Sequence, residues 1–241
     1  DEVRGKKFSA VKPFIVMGVL GVFLLAQPDL GSTVVLFVIT FCMLFIVGAN
    51  FWQFILLIGT GILLFIWLVL SASYRLKRFT GFLEPFKDPY GTGFQLTNSL
   101  MAFSGEGLGN SIQKLDYLPE AHTDFIMAII GEEFGFIGIL VVVILLGLLI
   151  FRAMKIGRES LMLEQRFRGF FALGISFWIF FQGFVNLGMA LGMLPTKGLT
   201  FPLVSYGGSS IIIMSATVGI LLRIDHENRL QRGGQARLRD D

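Results

Sequence analysis

Six long apolar runs, separated by polar segments, are the dominant pattern of the chain. The runs are residues 11–26, 31–47, 51–73, 125–151, 167–193 and 209–222. A helix needs about 17 to 25 residues to cross about 30 Å of hydrocarbon, so the first and last runs are short and require flanking residues. The pattern predicts an all-α polytopic membrane protein with six transmembrane helices, whose third and fourth helices are joined by a long extracytoplasmic loop, residues 74–123.

The amino-acid composition also indicates a membrane protein. Hydrophobic residues make up 54% of the chain and charged residues only 15%. In soluble domains, about a quarter of all residues are charged. A soluble helical protein with unusually buried helices is the alternative, and the lengths of the runs argue against it. Residues 1–7 lack the pattern of a cleavable leader, so we expect insertion to depend on the spans themselves.

Basic residues are distributed unevenly between the two sides of this predicted topology. Fourteen of the 20 Lys and Arg residues lie in segments on the side of the N-terminus. The positive-inside rule therefore predicts that both termini of this chain are cytoplasmic, with residues 74–123 and 192–208 outside. Residues 224–241 become a cytoplasmic tail, whose polar end at 231–241 is expected to be disordered. The net charge of +3 requires no partner beyond membrane lipid, and nucleic acid is not an expected partner.

Asp124, at the outer end of the fourth predicted span, is the strongest candidate for catalysis. An acid beside the hydrocarbon is energetically costly, so a function is its default interpretation. At about 100° per residue, the same helix face carries small residues, which are Ala128, Gly131, Gly135 and Gly138. Such a stripe is typical of a close helix contact, and it equally suits a groove for a lipid chain. The alternative role of Asp124 is to complement the macrodipole at the helix start.

Glu120 and His122 precede Asp124 at alternating positions and form a polar cluster at the same outer mouth. Their spacing suits an extended ligand strand, and carboxylates with a single histidine are a loose metal pattern. We therefore expect no built-in cofactor and no protein-built metal site. A divalent cation remains compatible with a diphosphate substrate that carries it in.

Several cations on the outer side run against the positive-inside bias and require a local reason. They are Arg75, Lys77, Arg78, Lys114 and Lys197. They predict a binding site for a phosphate-bearing lipid headgroup at the outer face. Snorkelling of the side chains at 75–78 is the alternative.

The segment 205–210 opens the last predicted span with hydroxyl groups and glycines. Its candidates for substrate binding are Ser205, Tyr206 and Ser209. Free backbone N–H groups at this helix start would hold an anion or a sugar. A simple capped helix start is the alternative.

Two amide side chains, Gln182 and Asn186, lie inside the fifth predicted span. They are one helical turn apart and therefore share one face. Because a polar group without a partner is costly in lipid, we expect them to bond neighbouring helices rather than a substrate.

Several segments resemble one known family, and together they cover most of the chain. The segments are residues 27–31, 88–103, 107–111, 114–125, 131–133, 193–200 and 206–210. Their motifs include Gln-Pro-Asp-Leu-Gly at 27–31 and Lys-Gly-Leu-Thr at 197–200. In these segments the chain resembles the SEDS family (shape, elongation, division and sporulation), and its FtsW-type division branch more than its elongation branch. The stretch 103–107 departs from the family pattern by being shorter.

The resemblance implies that residues 1–241 are the C-terminal part of a single SEDS membrane domain of about ten helices. It implies a peptidoglycan glycosyltransferase that polymerises lipid II into glycan strands during septal cell-wall synthesis. Asp124 would be the catalytic general base, acting on the acceptor sugar hydroxyl while undecaprenyl diphosphate leaves the donor. The other outer candidates would bind the substrate, with cations around the diphosphate.

The resemblance also implies partners at the division septum in the bacterial cytoplasmic (inner) membrane. They are lipid II, the nascent glycan strand, a class B penicillin-binding transpeptidase of the FtsI type, and the small division proteins FtsQ, FtsL and FtsB. Two other functions stay open: a flippase that moves the lipid-linked precursor, and a non-catalytic divisome scaffold. A flippase would place charges midway through the spans, whereas here they cluster at the outer mouth.

Overall fold

The computed structural model of the chain describes residues 11–27, 29–48, 94–103, 123–195 and 198–240, with short stretches between 55 and 87. Six helices have defined bounds within these residues. In chain order they are α1 (Val11–Ala26), α2 (Leu30–Val47), α3 (Phe94–Phe103), α4 (Ile126–Met162), α5 (Arg166–Ala190) and α6 (Gly208–Asp240). The all-helical architecture predicted from the apolar pattern is confirmed in this described part of the chain.

Three of these helices are long and apolar enough to cross a membrane: α4, α5 and the part Gly208–Gly234 of α6. Helices α1 and α2 have shorter apolar stretches, Ile15–Ala26 and Gly31–Val47. The predicted third span, residues 51–73, lies largely outside the described residues. The structure therefore confirms a multi-pass helical membrane protein but not six complete spans, since a short helix crosses about 30 Å of hydrocarbon only with flanking residues.

Helices α4 and α6 run further than the apolar pattern predicts. Helix α4 continues past residue 151 to Met162, and α6 continues past residue 222 to Asp240. The prediction of disorder at 231–241 is therefore wrong for residues 231–240. The apolar pattern ends at the membrane surface, whereas the backbone hydrogen bonds of the helix continue beyond it. Ion pairs one helical turn apart, such as Arg229 with Asp225 at 2.8 Å, stabilise the helix there.

The main core forms where α4, α5 and α6 pack together. A short turn at residues 163–165 joins α4 to α5 and makes them antiparallel neighbours. The buried apolar side chains of this core are Ala153, Ile156, Ala172, Ile175, Ile179, Met214, Leu221 and Ile224. Alanine and glycine at the contact let the backbones of α4 and α5 approach closely, which substitutes for the hydrophobic force that lipid does not provide.

Replacing Gly157 by alanine is expected to lower the melting temperature. The added Cβ would lie 2.8 Å from Cγ of Leu173 and 3.1 Å from the carbonyl oxygen of Gly169, so α4 and α5 would have to separate. Overpacking of this kind costs about 1 to 3 kcal/mol. The matched control is Gly147→Ala on the same helix, where a Cβ meets nothing within 4 Å and alanine favours the helix. Equal melting temperatures for the two variants in detergent would contradict the close contact.

Helix α4 is interrupted at Gly135, where φ is 63° and ψ is −162°. This conformation is essentially limited to glycine. The interruption separates a short first segment, residues 126–134, from the long segment 136–162. The predicted stripe of small residues therefore does not continue as one helix face. Ala128 and Gly131 are buried in helix contacts, and Gly135 breaks the helix.

The segment between the third and fourth predicted spans contains a helix that the polar pattern did not predict. This helix, α3, packs against α4 and α5. Ser99 is fully buried, and its hydroxyl donates to the carbonyl oxygen of Ala190 at 2.8 Å. The prediction of loop structure throughout 74–123 is wrong at α3, because packing against the bundle stabilises a helix too short to be stable alone.

Candidate functional site

Asp124 lies immediately before α4, at the end of the bundle where residues 198–207 connect α5 to α6. The N-cap of α4 is Phe125, whose own side chain makes no capping hydrogen bond. Phe125 is 2% exposed and belongs to the same buried cluster as Phe201, which anchors the start of α4. Oδ2 of Asp124 lies 3.4 Å from the position that a Cβ on Gly198 would take. The half-buried carboxylate therefore lies against the backbone of the connecting segment.

Asn186 of α5 holds Asp124 in place. This side chain is fully buried, and its Nδ2 donates to the backbone carbonyl oxygens of Asp124 at 2.8 Å and of Leu199 at 2.5 Å. One amide thus ties the start of α4 to the segment against which the carboxylate lies. The prediction that Asn186 bonds a neighbouring helix is wrong, because carbonyls in non-helical backbone lack intrahelical donors and are the available acceptors.

Gln182, one turn away on α5, holds the next residue of the connecting segment. Its Nε2 donates to the carbonyl oxygen of Thr200 at 3.0 Å and lies 3.2 Å from Oγ1 of the same residue. Oγ1 of Thr200 is in turn 3.2 Å from Oγ of Ser210, the third residue of α6. Oε1 of Gln182 is buried and has no hydrogen-bond partner within the part of the chain that the structure describes. A buried acceptor is thus available to an incoming donor.

Ser205, predicted to bind substrate, is buried and forms hydrogen bonds within the protein. It is 2% exposed, its hydroxyl donates to the carbonyl oxygen of Thr123 at 2.5 Å, and its Oγ accepts the N–H of Phe201 at 2.6 Å. Tyr206, in contrast, is 75% exposed, and Ser209 is also exposed. The structure therefore leaves Tyr206 and Ser209 accessible, whereas Ser205 positions the residue before Asp124.

The remaining predicted site residues lie outside the described residues, and their roles stay predictions. They are Arg75, Lys77, Arg78, Lys114, Glu120, His122 and Lys197. Within the described ranges, no three His, Cys, Asp or Glu side chains lie together as a metal site requires. The divalent cation expected with a diphosphate substrate likewise stays a prediction.

A cavity of about 910 Å³ lies between α2, α5 and α6 and reaches the connecting segment beside Asp124. Residues 198–200 line one end, and Gly198 is also the residue that approaches the carboxylate. The cavity follows α5 from Gln182 to Phe167, a distance of about 22 Å along the helix axis. Most of its walls are aliphatic or aromatic side chains. This length and character suit a lipid chain whose polar end lies near a carboxylate.

Sequence analysis predicted Asp124 as the candidate base but missed the hydrogen bonds that position this residue. Asn186 and Gln182 form these bonds from α5, and Ser205 forms them from the connecting segment. The available signal was the position of both amides in the C-terminal half of their span, on the side of the 191–207 connection, where the nearest polar groups are loop carbonyls. Glu132 and Glu133, also acids of α4, differ in placement, since Glu132 is buried and Glu133 is exposed.

Comparison with known proteins gives one family and several similar sequences. Residues 1–230 match the FtsW/RodA/SpoVE family model, described as cell cycle protein. A relative from Haemophilus influenzae is 84% identical and one from Pasteurella multocida 81% identical, each over 100% of this chain. A relative from Escherichia coli O157:H7 is 56% identical over 96% of it. All three are named probable peptidoglycan glycosyltransferase FtsW. The chain spans 62% of the first two relatives and 57% of the third.

Two solved structures share the fold. The first is a chain from a study of how a peptidoglycan synthase complex coordinates polymerization and crosslinking, with a TM-score of 0.74 at 31% identity. The similarity covers 92% of this chain and 63% of that one. The second is the rod shape determining protein RodA of Thermus thermophilus, with a TM-score of 0.63 at 28% identity over 93% of this chain and 58% of that one.

Proposed function

Because the chain belongs to the FtsW/RodA/SpoVE family, we propose that it carries the catalytic part of a peptidoglycan glycosyltransferase of the FtsW type. The enzyme polymerises lipid II into glycan strands during septal cell-wall synthesis. One observation carries the proposal: the carboxylate of Asp124 lies against Gly198, at the end of an apolar cavity long enough for a lipid chain.

Asp124 acts as the general base of this reaction. Its carboxylate takes the proton of the acceptor sugar hydroxyl as the hydroxyl oxygen attacks the anomeric carbon of the donor, and undecaprenyl diphosphate leaves. A diphosphate leaves without protonation by a second acid, so one carboxylate is sufficient, unlike the pair that glycosidases use. The hydrogen bond from Asn186 to the carbonyl of Asp124 supports this role, because a base needs fixed geometry to be effective.

The cavity accommodates the prenyl chain of the lipid-linked substrate, and the connecting segment lies beside its sugar. Residues 198–200 line the cavity next to the carboxylate, so a chain in the cavity leaves its headgroup near the base. Oε1 of Gln182, which has no partner among the described residues, accepts a hydrogen bond from a substrate hydroxyl or amide. The five outer cations predicted from the sequence neutralise the diphosphate.

The Asp124 end of the bundle faces the outside of the bacterial inner membrane at the division septum, and both termini of this chain are cytoplasmic. Several arginines lie at the opposite end of α4, α5 and α6, where they form ion pairs such as Arg168 with Glu227 at 2.8 Å and Arg232 with Glu159 at 3.3 Å. The enrichment of arginine and lysine at that end supports this orientation.

The partners that we propose are a class B penicillin-binding transpeptidase of the FtsI type and the small proteins FtsQ, FtsL and FtsB. The similarity to a chain from a peptidoglycan synthase complex supports a joint assembly of polymerase and transpeptidase. Glycan strands made at the Asp124 end would then reach the crosslinking partner on the same side of the membrane.

A flippase is the second candidate, and the cavity that follows α5 for about 22 Å is the observation that favours it. Purified full-length protein with its transpeptidase partner, in liposomes containing labelled lipid II, distinguishes the two. We expect glycan strands to lengthen and undecaprenyl diphosphate to be released. Transfer of lipid II between leaflets without any polymer would identify a flippase and contradict the glycosyltransferase.

A further inference from the structure

A second cavity, of about 470 Å³, lies between α4, α5 and α6 at the end of the bundle opposite Asp124. Its apolar lining is Phe151, Met154, Met162 and Leu173, and its charged lining is Lys155, Arg158, Glu159 and Arg232. The regular part of α4, from Phe136 to Arg158, is about 33 Å long, close to the thickness of the hydrocarbon core. The cavity therefore lies at the membrane interface remote from Asp124.

The charges around this cavity are unbalanced. Its single carboxylate, Glu159, is already paired with Arg232 at 3.3 Å. Elsewhere at this end, Arg152, Arg168, Arg223 and Arg229 each have a carboxylate partner, as Arg229 has Asp225 at 2.8 Å. Lys155 and Arg158 are exposed and have no carboxylate within ion-pair distance in the part of the chain that the structure describes. Two cations thus border a cavity with no counter-ion of their own.

The deepest residue of the cavity lining on α4 is apolar, and the cations lie nearer to the water, where Met162 also lines the cavity. Phe151 lies two turns before Arg158 on α4, about 10 Å nearer to the middle of the bilayer, and is 64% exposed. A cavity that is apolar toward the hydrocarbon and basic toward the water has the arrangement of a phospholipid with a negatively charged headgroup. Basic pockets between helices at the cytoplasmic face are known sites for such headgroups.

We propose that this cavity binds an anionic phospholipid, with a headgroup phosphate between Lys155 and Arg158 and an acyl chain along Phe151 and Met154. Guanidinium and ammonium groups both form charge-assisted hydrogen bonds with phosphate oxygens. A headgroup with two phosphates also reaches Arg232, which lines the same cavity. The proposal depends on the cytoplasmic location of this end but not on the glycosyltransferase activity.

Native mass spectrometry of the detergent-purified full-length protein tests the site, with cardiolipin and phosphatidylethanolamine as probes. The double variant Lys155→Gln with Arg158→Gln removes both unpaired cations, and we expect about thirtyfold weaker binding of cardiolipin. The matched control, Arg223→Gln with Arg229→Gln, removes two exposed cations at the same end. Their carboxylate partners do not become unpaired, because Glu227 is still paired with Arg168 and Asp225 with Arg152. The control should bind cardiolipin as the parent protein does.

Three outcomes would overturn the site: equal loss in both double variants, full retention in the cavity variant, or phosphatidylethanolamine binding as tight as cardiolipin binding. Displacement of cardiolipin by millimolar inorganic phosphate would assign the cations to a soluble anion and overturn the lipid. All substituted side chains are exposed, so the melting temperatures of both variants should match that of the parent. Polymerase activity that persists in the cavity variant keeps this test separate from the proposed function.

Discussion

Replacing Asp124 by asparagine is expected to lower the rate of glycan polymerisation by about a thousandfold, the range that a positioned general base contributes. Asparagine has the same shape but does not take a proton from the attacking hydroxyl. The bond from Asn186 reaches the backbone carbonyl of Asp124 and not the carboxylate, so the substitution leaves this anchor intact. The measurement is consumption of labelled lipid II by purified full-length protein with its transpeptidase partner.

Asp29→Asn is the matched control for this experiment. Asp29 is an aspartate in the short connection between α1 and α2, on the same predicted side as Asp124, and its Oδ1 accepts the N–H of Ser32 at 3.0 Å. Asparagine is as good an N-cap as aspartate, so activity and melting temperature should not change. If the Asp124 variant polymerises as fast as the Asp29 variant, Asp124 is not the general base.

Replacing Asn186 by leucine is expected to reduce turnover by about a hundredfold, because an error of about 1 Å in placing a catalytic group has an effect of that size. Leucine has a similar shape but donates no hydrogen bond. The carbonyls of Asp124 and Leu199 would both lose the hydrogen bond from Asn186, and a buried polar group whose hydrogen bond is lost costs about 1 to 3 kcal/mol. We expect a lower melting temperature together with a lower kcat, measured where the variant is fully folded.

Asn228→Leu separates positioning from general destabilisation. Asn228 is also fully buried, and its Nδ2 lies 2.9 Å from Oγ of Ser160 and 3.3 Å from the carbonyl oxygen of Ile156. It lies at the opposite end of the bundle, so its loss should lower the melting temperature but not kcat. A comparable loss of kcat in the Asn228 variant would show that Asn186 acts only through stability.

The hydrophobic pattern predicted the starts of the helices much better than their ends. Helix α1 has the predicted bounds, and α2, α4, α5 and α6 begin within one residue of the predicted starts. The ends of α4 and α6 were missed because a helix that leaves the membrane keeps its backbone hydrogen bonds while its side chains become charged. Helix α3 was missed because its stability comes from contacts with α4 and α5 rather than from its own composition.

The site was predictable where its chemistry is local and not where it depends on distant parts of the chain. An acid at the start of an apolar span is visible as a pattern, and Asp124 was predicted as the candidate base in that way. Its anchor comes from Asn186, 62 positions later, and the anchor of Thr123 comes from Ser205, 82 positions later. A sequence pattern does not show which residues so far apart in the chain lie close together in space.

The helical class, the membrane insertion and the candidate base are thus predictable from the sequence alone. A bilayer has a fixed thickness, so the length of an apolar run indicates whether the run forms a membrane-spanning helix. The partners of the buried amides, the break at Gly135 and both cavities follow only from the packed bundle. Each of these depends on how closely separate helices approach, and that distance is set by small residues and side-chain shapes that meet only in three dimensions.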